Sequence, residues 1–217
     1  MNLLAHALLA SAFLPDTGGG EVCGSIMADY FRGERLEDYT DSLVRGILQH
    51  RAVDAFTDSH RAFLACRDEL ASDAPPHAAA ILVDLFWDNI LGSEWDEFGR
   101  PLCGQGLGDF AAGVYRKLES AKAFYSRQFA RIAPWLISMD WLSAYARVEG
   151  IERVIDGLAR RLPHGMRLAG SAKLLESHRQ GLEGGLRVFW PDILTFLGAR
   201  SSKTMGSPGK SGLEEGK

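Results

Sequence analysis

The sequence predicts an all-α protein, one helical domain of about seven to nine helices. Apolar residues recur at three- and four-residue spacing along most of the chain. Alternating strand patterns are scarce, no Asn-Gly hairpin turn occurs, and no repeat of fixed period is evident. With 217 residues, 46% of them hydrophobic, the chain can bury one sizeable core.

Each element has its own justification. MNLLAHALLASAFLP (1–15) is too short to span a membrane. It lacks a basic leader and carries His6 within its apolar run, so it reads as a buried helix and not as a secretion signal. In 43–56, Leu43, Ile47, Val53 and Phe56 form a stripe, with Thr40 or Asp41 as N-cap. Residues 78–91 follow Pro75-Pro76 and stop at Gly92, a matched start and stop. Residues 107–136 read as one or two helices broken near Pro134. Trp141, Leu142, Tyr145, Ile151, Val154, Ile155 and Leu158 give 138–161 another apolar face, and 171–187 and 189–198 look helical too. The domain is therefore placed at 1–198. Residues 199–217, rich in Gly, Ser and Lys, are expected to form a disordered tail. GSPGKS in that tail is not a phosphate-binding loop, because Thr204 stands where the motif needs its first glycine.

Charge and cysteine usage narrow the function. The formal net charge is −4, and no nucleic-acid or membrane partner is expected. The charge is divided unevenly: residues 1–115 hold 7 Lys+Arg against 18 Asp+Glu, and residues 116–187 hold 13 against 7. An acidic half suits a cation site and a basic half suits an acidic partner. Cys23, Cys66 and Cys103 are widely spaced and odd in number, which argues against a disulfide framework and for a reducing cytoplasm. Oligomeric state leaves no mark in the sequence.

The chemistry concentrates in a few helices. On a helix, residues four apart are about 40° apart and point together. His50, Asp54 and Asp58 in HRAVDAFTDSH share such a ridge, and Asp84 and Asp88 repeat it in VDLFWDNIL. Asp29 sits in GSIMADYFRG and His6 in LLAHALLA, both among apolar neighbours. Singly, each has a plain structural explanation. His6 could be a core histidine, Asp58 a capping residue, and Asp84 and Asp88 part of a solvated face. Asp29 could pair with Arg32, and Asp54 with Arg51 or Arg61. Together, imidazoles and carboxylates on four helices point to a hard or borderline divalent ion such as Mn²⁺, Mg²⁺ or Fe²⁺. Such an ion would serve phosphoester hydrolysis, with Arg51, Arg32 or His60 on the phosphate or the leaving oxygen.

The stretches MNLLAHALLA, CGSIMADYFRG, HRAVDAFTDSH, VDLFWDNIL and WLSAYARVEGIERVIDGLARRLP stand in an order that resembles bacterial acyl carrier protein phosphodiesterases, over roughly residues 1–195. The resemblance implies a divergent branch of the all-helical HD phosphohydrolases. It implies hydrolysis of the diester joining 4′-phosphopantetheine to a serine of acyl carrier protein, with a divalent metal, Mn²⁺ favoured. The matching positions are His6, Asp29, His50, Arg51, Asp54, Asp58, Asp84 and Asp88. His6, Asp29, His50, Asp84 and Asp88 are expected as metal ligands, and His50, Arg51, Asp54 and Asp58 in catalysis. Two departures stand out: no contiguous His-Asp pair occurs, and Asn89 replaces a histidine found in some relatives. The acidic carrier protein is the expected partner, docking on Arg127, Arg131, Arg147, Arg153, Arg160, Arg161 and Arg167. The rival readings are a phosphohydrolase of a nucleotide or another small phosphoester, a carrier-binding helical protein without catalysis, and an all-α scaffold with buried ion pairs.

Overall fold

The computed structural model describes residues 1–31, 35–159 and 168–205, apart from the side chains of 158 and 203–205. Among these, every regular element is a helix. The α-helices are α1 Leu3–Phe13, α2 Gly20–Met27, α3 Asp41–Ser59, α4 Arg61–Leu70, α5 Ala79–Ser93, α6 Trp95–Phe98, α7 Arg100–Cys103, α8 Leu107–Ser120, α9 Ala133–Ser138, α10 Trp141–Ala144, α11 Val148–Ala159, α12 Lys173–Ser177 and α13 Arg179–Met205. Eight have eight or more residues, matching the expected count. The other five are single short turns that periodicity cannot register.

Several boundaries differ from expectation for clear reasons. Pro134 opens α9 instead of ending a helix, since a first-turn residue needs no intrahelical N–H partner. The two segments expected near 171–198 become the short α12 and one long α13, with Pro191 inside it. That helix continues to Met205, past the expected domain end at 198. Residues 206–217 of the expected tail lie outside the described residues, as do Arg32, Arg160, Arg161 and Arg167.

α1 is the central strut. Its residues Leu3 to Ala10 are all buried, and it touches α2, α3, α5, α7 and α13. A helix apolar on every side belongs in a core. Behind it, Trp87 of α5 packs between Phe63 of α4 and Phe189 of α13, and its indole N–H donates to the Leu182 carbonyl at 3.0 Å. No helix of the described residues is long and apolar enough to cross a membrane. All three cysteines are free.

The most extensive helix contact joins α2 and α3. Glycines make it close: a Cβ at Gly46 would lie 2.0 Å from the Glu21 carbonyl oxygen, and one at Gly24 2.1 Å from that of Leu43. This approach lays α3 along α2 and brings His50 within hydrogen-bond reach of the Ser25 carbonyl. Gly46→Ala should therefore lower unfolding free energy by about 2–3 kcal/mol, because backbone must move to admit the methyl group. Gly184→Ala, with open space around it in α13, should be neutral or stabilising by up to about 1 kcal/mol. Urea denaturation of the two variants measures both.

Candidate metal centre

Four elements carry the polar groups to one place. α1 supplies His6, α3 supplies His50, Asp54 and Asp58, a 3₁₀ turn after α2 (Ala28–Tyr30) supplies Asp29, and α5 supplies Asp84. All six line one cavity of about 230 Å³, with Met1, Asn2, Leu3 and Ile81 completing the wall.

At its floor, the rings of His6 and His50 stack with centroids 3.7 Å apart. Asp54 joins them: one oxygen lies 3.0 Å from His6 Nε2 and the other 3.0 Å from His50 Nε2. Asp29 stands 3.4 Å from the same His50 nitrogen. Nδ1–H of His50 donates to the Ser25 carbonyl at 2.8 Å, which aims Nε2 at the carboxylates. An Nε2 lone pair facing two carboxylates needs either a proton or a cation between them. His6, His50 and Asp54 each offer a donor atom, all within 4.8 Å of one another, so the three could hold a divalent ion. Among the described residues His6 Nδ1 is buried without a hydrogen-bond partner, so Nε2 carries that ring's polar contact.

The electrostatics follow from burial and proximity. Desolvation, with His50 close by, lowers His6 to about 4. His50 is raised to about 9: its own burial opposes charge, but Asp29 and Asp54 together outweigh it. Asp54 is held well below the usual carboxylate range; its desolvation pushes upward, and the two imidazoles overcome it. Asp84 is shifted up, mainly by burial, with the Met1 amino group 2.5 Å away pulling the other way.

The remaining residues from the sequence reading fall outside this cluster. Asp88 is fully buried but does not line the cavity. Its oxygens accept the main-chain N–H of Leu4 at 2.8 Å and those of Asn2 and Ala5 at 3.3 Å. It therefore caps α1 from across the core. Burial pushes its carboxyl up to about 7 against those donors. Asn89 turns away as well, donating to the Tyr145 carbonyl at 2.7 Å. Arg51 is exposed and off the cavity wall. His60 caps α4 through Ala62 N–H and pairs with Asp192 at 3.1 Å. Sequence reasoning passes over Ser25, whose part is played by a carbonyl that no side-chain motif announces.

In chelator-treated protein the histidine pair should give a stability maximum near pH 6.5. His50 is raised, so its contribution is full below 6.5 and lost as pH rises through 9. His6 is lowered, so stability is full above 6.5 and lost as pH falls toward 4. His50→Asn should flatten the alkaline limb in melting curves taken from pH 5 to 10. Separately, Asp88→Ala should cost about 3 kcal/mol, because it strands the first-turn amides of α1 in the core.

A family described as Acyl carrier protein phosphodiesterase matches residues 1–193. The acyl carrier protein phosphodiesterase of Yersinia pestis is 32% identical over 194 residues, covering 89% of this chain and 96% of its own. That of Photorhabdus laumondii is 31% identical, covering 89% and 93%, and that of Klebsiella pneumoniae 29%, covering 89% and 96%. No solved structure matches. Agreement over nearly the full length of both partners, spanning every residue of the cavity, places this chain in the acyl carrier protein phosphodiesterase family.

Proposed function

We propose that this member of a phosphodiesterase family cleaves the diester between 4′-phosphopantetheine and the serine of acyl carrier protein, using a divalent ion, Mn²⁺ foremost. The observation that carries the reading is the convergence of two imidazoles and Asp29, Asp54, Asp58 and Asp84 on one small cavity. In a family so described, such donors suit a hydrolytic ion better than a structural ion pair.

His6, His50 and Asp54 would hold the ion, with Asp29 and Asp84 beside them; Asp88 is left to its capping role. When bound, the ion would lower the pKa of water and offset charge on the phosphoryl oxygens. Ser25 fixes the His50 tautomer, so the ligand nitrogen needs no reorientation. Asp58, exposed at the cavity wall, would take the proton that water loses. In net terms, water's hydroxyl goes to phosphorus, the P–O bond to serine breaks, and the serine oxygen ends protonated. Apo-carrier protein and 4′-phosphopantetheine result.

Carrier recognition fits the basic half of the chain. Arg127, Arg131, Arg147 and Arg153 are exposed, and an acidic protein would be steered toward them. A cytoplasmic location agrees with three free cysteines. The reading without catalysis leans on Asn89, and that residue faces Tyr145 instead of the cavity.

Mass spectrometry of holo-acyl carrier protein tests the reaction. Loss of the phosphopantetheine mass is expected with Mn²⁺ and not with chelator. His50→Ala and Asp54→Ala should each lower kcat/KM by about 10³-fold, the scale of losing a positioned proton-transfer or ligand group. Activity on a nucleotide panel with none on the carrier would defeat the substrate assignment. Arg131→Glu with Arg147→Glu should slow carrier turnover several-fold at low salt and little at high salt.

A further inference from the structure

Beside the metal cavity lies a second, larger one of about 810 Å³. The two share Asn2, Leu3 and Asp29 as a common wall. Tyr30, Trp135, Met139, Trp141, Tyr145 and Val154 make the larger one mostly apolar. Two of these are placed where water would ordinarily select against them: Trp135 is 65% exposed and Met139 49%. Large apolar side chains gathered at the mouth of a groove mark a binding surface.

A phosphodiester has two arms, and their directions are constrained. One ester oxygen belongs to a serine on a folded carrier, which must stay outside. The other leads into pantetheine, a flexible chain with a gem-dimethyl group, two amides and a terminal sulfur. The 230 Å³ cavity is below the about 300–1,000 Å³ of pockets that enclose such ligands. The arm therefore extends beyond that cavity, and the apolar groove begins at the shared Asn2–Asp29 wall.

We infer that this groove is the binding site for the pantetheine arm, an assignment that rests on the carrier-protein reading above. Trp135, Met139, Trp141 and Val154 cover the arm's apolar surface. Apart from Asp29 the groove's one charged residue among those described is Arg153, whose exposed position continues toward the basic segment. Arg153 thus belongs both to the groove and to the exposed arginines assigned to steering the carrier.

Gly157 supplies the test. It lines the groove on α11, and among the described residues a Cβ there meets nothing within 4 Å. Gly157→Leu should project a side chain into the groove and narrow it while favouring the helix. It should raise KM for holo-carrier protein at least tenfold. Its melting temperature should not fall, and Mn²⁺-dependent hydrolysis of bis(4-nitrophenyl) phosphate, a diester with no long arm, should be impaired far less than carrier turnover. Trp135→Ala, altered at an exposed site, should raise the same KM. Pantetheine without phosphate should quench tryptophan fluorescence of metal-free wild type and not of Gly157→Leu. Unchanged KM in both variants together with no pantetheine binding overturns the assignment. So does light scattering that shows a dimer dissociated by Gly157→Leu, since a second copy would then be the occupant. If wild type releases no phosphopantetheine, the reaction itself is lost, and pantetheine binding sensitive to Gly157→Leu still supports the groove.

Discussion

One buried carboxylate holds the geometry together. Asp88, on α5, accepts three main-chain N–H groups at the start of α1. Those amides have no intrahelical partners, and nothing else in an apolar core would satisfy them. The contact fixes α1 in position along its axis relative to α5. A slide of one turn would break it and carry His6 about 5 Å away from Asp54. Asp84, one turn earlier on α5, is set at the cavity wall by the same tie. A residue four positions from the cavity's own aspartate thus governs the cavity without entering it.

Around that frame the charges settle through competition. Two stacked imidazoles cannot both carry a proton at low cost, and two carboxylates cannot both face a bare nitrogen. The protein resolves this by making the histidines unequal: His50, flanked by Asp29 and Asp54, is pushed up, while deeply buried His6 is pushed down. Asp54 bridges the pair and is the shared partner of both. A cation in that position would satisfy the same four groups with no proton needed.

Much of this was legible in the chain itself. Four-residue spacing put His50, Asp54 and Asp58 on one side of α3, and the all-apolar run around His6 announced a central helix. Spacing also put Asp84 with Asp88, and there it reached its limit. Neighbours on a helix face are about 40° apart, enough for one to reach a cavity and the next to reach the end of another helix. Periodicity reports a residue's direction and not its partner. The role of Ser25 was invisible because a carbonyl is common to every residue. The short helices between α5 and α8 and between α8 and α11 were blurred because a four-residue turn holds barely one period. Asn89 attracted attention through its substitution, yet its side chain donates to the Tyr145 carbonyl and does not line the metal cavity.

The polar groups that line the cavity also differ in how firmly they are anchored. His6, His50, Asp54 and Asp84 stand on helices of 11 to 19 residues. Asp29 stands on a three-residue 3₁₀ turn, a segment with few internal bonds to resist displacement. An occupant of larger ionic radius would meet stiff walls on three sides and a yielding one at Asp29. If an ion binds there, its size would be felt first at that turn, and stiffening the turn would sharpen any size preference without touching His6, His50 or Asp54.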